Sequence, residues 1–133
     1  MSDMTLVPAV SEFDISRPTA TDLSEKQYYV VKHDSNEKVV LSTANDKSLG
    51  ILQNAPDGST NEATANVRTG GISKAILAEA VTFGQFLTPT SAGTLEVCDA
   101  ANEEYIAKAL TSGDASDLIS VLICHGEVTA SDA

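Results

Sequence analysis

The stretch from Gly70 to Gly126 constrains this chain most, because short apolar segments are cut there at near-regular intervals by glycine, proline and aspartate turns. Gly70-Gly71-Ile72-Ser73-Lys74-Ala75-Ile76-Leu77 opens it, and Phe83-Gly84-Gln85 and Thr88-Pro89-Thr90-Ser91-Ala92-Gly93 turn it. Ser112-Gly113-Asp114 then leads into Leu118-Ile119-Ser120-Val121-Leu122-Ile123-Cys124. Breaks every ~8–12 residues suit strands better than amphipathic helices, which need longer uninterrupted runs. The expectation is a mainly β module with one or two short helices and little room for catalytic machinery.

Upstream, Gln27-Tyr28-Tyr29-Val30-Val31-Lys32 is rich in aromatic and β-branched residues that suit a pleated surface. His33 to Glu37 turns the chain, and Lys38-Val39-Val40-Leu41-Ser42 follows at the distance an antiparallel hairpin requires. Thr43 to Ser48 is polar and suits a short helical turn, Leu49 to Gln53 suits a strand, and Asn54-Ala55-Pro56-Asp57-Gly58 has the chemistry of a β-turn. Ala63 to Thr69 alternates as a half-buried strand does. Two segments stay open: Ala75–Val81 and Glu103–Leu110 have helical composition, yet the first lies between glycines and the second alternates. They are read as strands over Ile72–Ala78 and Tyr105–Leu110.

The first 26 residues follow neither period; Pro8 and Pro18 interrupt them, and Leu6, Val7, Val10, Phe13 and Ile15 are scattered apolar anchors. Such a stretch reads either as an arm that gains structure by lying on something else or as a disordered leader. The organisation expected is an arm over 1–26, one domain over 27–127 and a short tail over 128–133. A chain of 133 residues is long enough for a single core. With aromatic residues at 5% and no tryptophan, that core must be built from Val, Ile, Leu and Ala.

The formal net charge of -11 opposes binding to nucleic-acid phosphates, which calls for a basic patch. From Leu95 onward eight acidic residues face one basic residue, the pattern of a solvated, solubilising surface. No segment approaches the ~20 apolar residues of a membrane span, and Met1 to Glu12 lacks the basic start and apolar run of a secretory signal. Synthesis in a cytoplasm is expected. Cys98 and Cys124 then read as buried free thiols rather than a disulfide.

No constellation points to catalysis or a cofactor. His33 and His125 are the only histidines, and Cys124-His125 would project from opposite faces of a strand, which does not make a zinc site. Glu103-Glu104 and Asp114 with Asp117 have small polar neighbours, and Asp114-Ala115-Ser116-Asp117 lacks the glycine and glutamate of a calcium loop. Gly70-Gly71 has no following lysine and serine with which to cradle a phosphate. A small-molecule or carbohydrate module would have to draw on Tyr28, Tyr29, Arg68 and Tyr105, without a tryptophan platform.

Several segments together form a familiar outline: Gly50-Ile51-Leu52-Gln53-Asn54-Ala55-Pro56-Asp57-Gly58, Ala65-Asn66-Val67 with Gly70, and Ala80 to Leu87. Gly93-Thr94-Leu95, Ile106 to Leu110, Gly113-Asp114 and Ile119 to Leu122 complete it. This pattern resembles the small capsid decoration (cement) proteins of tailed bacteriophages over roughly Leu49 to Glu127, departing at Gln85, where the family often has aspartate. The resemblance implies a β-tulip or β-clip barrel that binds the outside of an assembled capsid, on the virion surface, with the major capsid protein as partner. It also implies a homo-oligomer, a trimer above other states, with no enzymatic activity. In that setting Leu6, Val7, Val10, Phe13 and Ile15 are the expected partner contacts, through strand addition or apolar anchoring.

Overall fold

A computed structural model of the chain describes residues 12–44, 47–58, 63–100 and 103–128. Among these residues the chain forms nine strands: β1 (Phe13–Pro18), β2 (Val30–His33), β3 (Val39–Leu41), β4 (Gly50–Leu52), β5 (Thr64–Ile76), β6 (Phe86–Pro89), β7 (Leu95–Val97), β8 (Glu104–Ala109) and β9 (Leu118–Glu127). They pair in the order β3-β2-β4-β5-β9-β8-β6-β7, with β1 added to β5, and every ladder is antiparallel. The sheet curls into a small barrel-like fold. The described residues contain no helix, so the one or two short helices expected from the sequence are absent among them; the polar stretch from Thr43 to Ser48 includes residues 45 and 46, which lie outside the described residues. Neither open segment is helical: Glu104–Ala109 is strand β8, whereas Ala75 and Ile76 end β5 and Leu77 and Val81 make only isolated bridges, so the strand expected to reach Ala78 stops at Ile76.

β5 organises the curl. The sequence suggests two strands separated by Gly70-Gly71, but they are one strand of 13 residues. Its first half pairs with β1 and β4, and its second half, from Gly71, pairs with β9. Gly71 sits at φ 93°, where a Cβ is disfavoured, so the strand turns there without breaking. Among the described residues the second half pairs with β9; Arg68 Nη1 donates to the Ile72 carbonyl (3.0 Å) and Ser73 Oγ to the Lys74 carbonyl (2.9 Å). Side chains thus occupy carbonyls that would otherwise attract another strand.

Two apolar cores lie on opposite sides of β2 and β4. Successive side chains of a strand point to opposite faces. Accordingly Val30 and Ile51 join Leu77, Leu87, Leu95 and Ile106 in one cluster, while Val31 and Leu52 join Leu23, Val39 and Val67 in the other. Strands covered on both faces read as apolar doublets rather than alternations, as Val30-Val31 and Ile51-Leu52 do. The stretch read as an arm contributes directly: β1 pairs with β5, and Leu23 is buried with its N–H on the Pro56 carbonyl (3.0 Å). The hairpin forms as expected. Asp34 accepts from the Lys38 and Asn36 N–H groups at its turn, and that bonding, led by Lys38, holds the Asp34 carboxyl below its ordinary pKa.

Candidate functional site

Of the five expected partner contacts, Leu6, Val7 and Val10 lie outside the described residues. Phe13 and Ile15 are on β1 and divide their roles. Ile15 packs against the core that contains Leu23 and Val67. Phe13 stays 61% exposed, its ring over Gly70, and an irregularity between Phe13 and Asp14 shifts the register there.

Arg68 pins this end of β1. Its Nε and Nη2 donate to both Asp14 oxygens (2.9 and 3.3 Å), and Nη1 donates to Glu12 Oε2 (3.3 Å). The Asp14 carboxylate raises the Arg68 pKa further above its ordinary value. Glu12, Tyr28, Arg68, Ile72, Lys74 and Ser120 border a shallow groove. Tyr28 and Arg68 therefore share a groove, but the other two pocket candidates are elsewhere. Tyr29 lies under the Lys26 ammonium (4.8 Å), and Tyr105 stacks on Phe86 (centroids 4.2 Å apart).

The titratable groups behave as packing elements. Burial raises the Cys98 thiol to about 12, assisted by Glu103 and other acids, and burial also raises Cys124. Neither is a ready nucleophile. His125 is lowered by burial, opposed by Glu104. Among the described residues no three His, Cys, Asp or Glu side chains gather closely enough to hold a metal ion. Asp114 and Asp117 close a loop on themselves, the Asp114 N–H donating to Asp117 Oδ2 (2.8 Å).

The surface that sequence reasoning missed is the outer face of the sheet formed by the second half of β5 with β9, β8 and β6. Ile119, Val121 and Ile123 point into the core, so the alternate residues of β9 point out. Pairing places Ile72 beside Leu122 and Ile76 beside Leu118, while Lys108 stands between Leu122 and Phe86. Tyr105 is opposite Gly126, where a side chain would run into its hydroxyl, so the glycine gives the ring its seat. Phe86, Leu110, Leu118 and Ile72 are exposed. An open antiparallel face is ordinarily polar, whereas here apolar side chains stand among Lys74, Ser120 and Lys108. The sequence signal was available: Leu118 to Cys124 is apolar at both parities except at Ser120.

No protein-family model matches the sequence, and no curated protein is similar to it at a significant level. Among solved structures, the chain is similar to the head fiber gp8.5 N base of bacteriophage phi29, with a TM-score of 0.65 and 11% identity. The match covers 86% of this chain and 95% of that one. At that identity the likeness is one of fold.

Proposed function

We propose that this chain is a non-catalytic structural protein of a phage head, bound to the outside of the assembled shell through the major capsid protein. The observation that carries this reading is the fold shared with the phi29 head fiber base over 95% of that chain, a domain whose setting is a phage head. The decoration-protein pattern in the sequence points the same way. In this reading Phe13, with Leu6, Val7 and Val10 ahead of it, contacts the shell, the acidic C-terminal third faces solvent, and the protein acts as a homo-oligomer, a trimer above other states.

Such a protein works by mass action. Binding the shell but not its free subunits adds about 2.7 kcal/mol per site at roughly a hundredfold excess over Kd. Mixing the purified protein with undecorated, expanded heads of the phage that encodes it gives saturable co-sedimentation and raises the temperature at which the heads rupture. Absence of binding at micromolar concentration would remove this reading.

A further inference from the structure

A cleft of about 390 Å³ opens where the outer face of the sheet meets the end of β7, and Phe86, Val97, Cys98, Asp99, Tyr105 and Glu127 are among its walls. Three contacts build it. Tyr105, seated on Gly126, stacks on Phe86 with ring centroids 4.2 Å and planes 30° apart. The Cys98 N–H donates to the Phe86 carbonyl (2.8 Å), and the Val128 N–H donates to the Glu103 carbonyl (2.9 Å). The aromatic pair and the segments beside it are therefore held in place by the fold, so a ligand entering the cleft has little left to order.

The charge of the cleft has one sign. Among the described residues its charged side chains are Asp99 and Glu127, and no lysine, arginine or histidine lines it. Glu127 also stands opposite Glu104 in the β8–β9 ladder, where like charges disfavour each other. Burial first, and then neighbouring acids that include Glu103 and Asp99, raise the pKa values of Glu96 and Cys98. An aromatic face attracts a cation within ~6 Å of its centroid. Phe86 does so already, with Lys108 Nζ at 5.9 Å, although Lys108 does not line the cleft. Aromatic walls edged by carboxylates repel anions and select a cation. Among protein side chains the guanidinium suits them best, because it is flat, weakly hydrated, stacks on a ring and offers a carboxylate two forked N–H groups. Register then continues the cleft into the outer face, from Phe86 through Lys108 to Leu122 and Ile72. Apolar residues next to an arginine find a surface there.

We propose that this cleft is a docking site for an arginine side chain presented by another protein, with apolar residues beside that arginine lying over Leu122 and Ile72. The inference goes beyond shell binding: Asp99 and Glu127 belong to the acidic third read as facing solvent, and the site is tested on the free protein without any capsid.

The isotopically labelled full chain is titrated with the peptide acetyl-Arg-Leu-Leu-amide and with the same peptide carrying citrulline, the uncharged isostere of arginine, while backbone amides are followed by NMR. The amides of Phe86, Asp99, Tyr105 and Glu127 are expected to shift, with the arginine peptide binding about tenfold more tightly and the gap narrowing as salt is added. Asp99→Asn combined with Glu127→Gln, both at exposed positions, brings the arginine peptide to the affinity of the citrulline one. Equal affinities of the two peptides for the unaltered chain would overturn the proposal, as would shifts confined to other residues or no shift at millimolar peptide. So would cleft amides that move with the protein's own concentration before peptide is added, since a second copy would then be the occupant. If the double variant loses its fold, the comparison of the two peptides on the unaltered chain decides. Failure to bind phage heads would leave these shifts in place, so the two readings fail separately.

Discussion

Gly50→Ala tests whether close contact between β4 and β5 holds the two cores together. A methyl group at Gly50 would overlap the Arg68 carbonyl oxygen and stand 2.9 Å from both the Arg68 carbonyl carbon and Val67 Cγ1. Carbon atoms pack at ~3.5–4.0 Å, so β4 must withdraw by roughly 0.5–1 Å or more. The obstacles are backbone atoms and a buried valine, which cannot swing aside. Withdrawal loosens the Ile51–Arg68 and Leu52–Val67 pairs and disturbs two residues buried in different cores. Two ladder bonds at ~1 kcal/mol each and overpacking of ~1–3 kcal/mol give about 3–5 kcal/mol. That is a large share of the ~5–15 kcal/mol typical of a domain. With a urea slope of ~1.5 kcal/mol/M, the midpoint followed by circular dichroism falls by about 2–3 M. Gly84→Ala is the control: its Cβ meets nothing within 4 Å, and only φ +90° penalises it. Such strain costs ~1–3 kcal/mol. A Gly50→Ala midpoint within about 0.3 M of the parent would refute the close-contact reasoning.

In a double-mutant cycle of Arg68→Ala and Asp14→Ala, the coupling measured by urea unfolding is about 0.5–1 kcal/mol, because Asp14 is substantially exposed. It shrinks in high salt, and a salt-independent coupling above ~2 kcal/mol would contradict a surface role. The pH profile contains two opposed slopes. Burial, then Glu79, Glu103 and Asp99, hold Glu96 above the ordinary 4.5; its contribution is present below 4.5 and lost as pH rises through its folded value. His125 is held below 6.5, so its contribution is present above 6.5 and lost as pH falls through its folded value. Glu96→Gln is therefore expected to raise Tm at neutral pH and leave a profile that only declines toward acid. An unchanged profile would show that Glu96 is not under repulsion.

Much of the strand content was legible because it depends on near-neighbour chemistry. Turn residues after His33, after Gln53 and around Gly93 end strands wherever the chain folds, and Ala65 with Val67 announces a buried face by alternation alone. The doublets Val30-Val31 and Ile51-Leu52 could have signalled strands covered on both sides. The helical composition of Ala75–Val81 was a false lead, since intrinsic propensity amounts to tenths of a kcal/mol per residue, and the end of β5 at Ile76 and the bridges at Leu77 and Val81 outweigh it.

The candidate surface was less legible because it is assembled across strands. Ile72, Leu118, Leu110 and Phe86 lie far apart in sequence, and only the register of β5, β9, β8 and β6 brings them onto one face. Position in the chain also failed to show that Ile15 packs into a core while Phe13 remains exposed. By itself the sequence determined the β character, the aliphatic core and the acidic balance, because these follow from local pattern and composition. The tertiary structure decided that the strands on either side of Gly70-Gly71 are one continuous β5, and which alternate residues of β9 face outward. Register is set by pairing partners distant in the chain, and a shift of one residue would move every side chain to the other face.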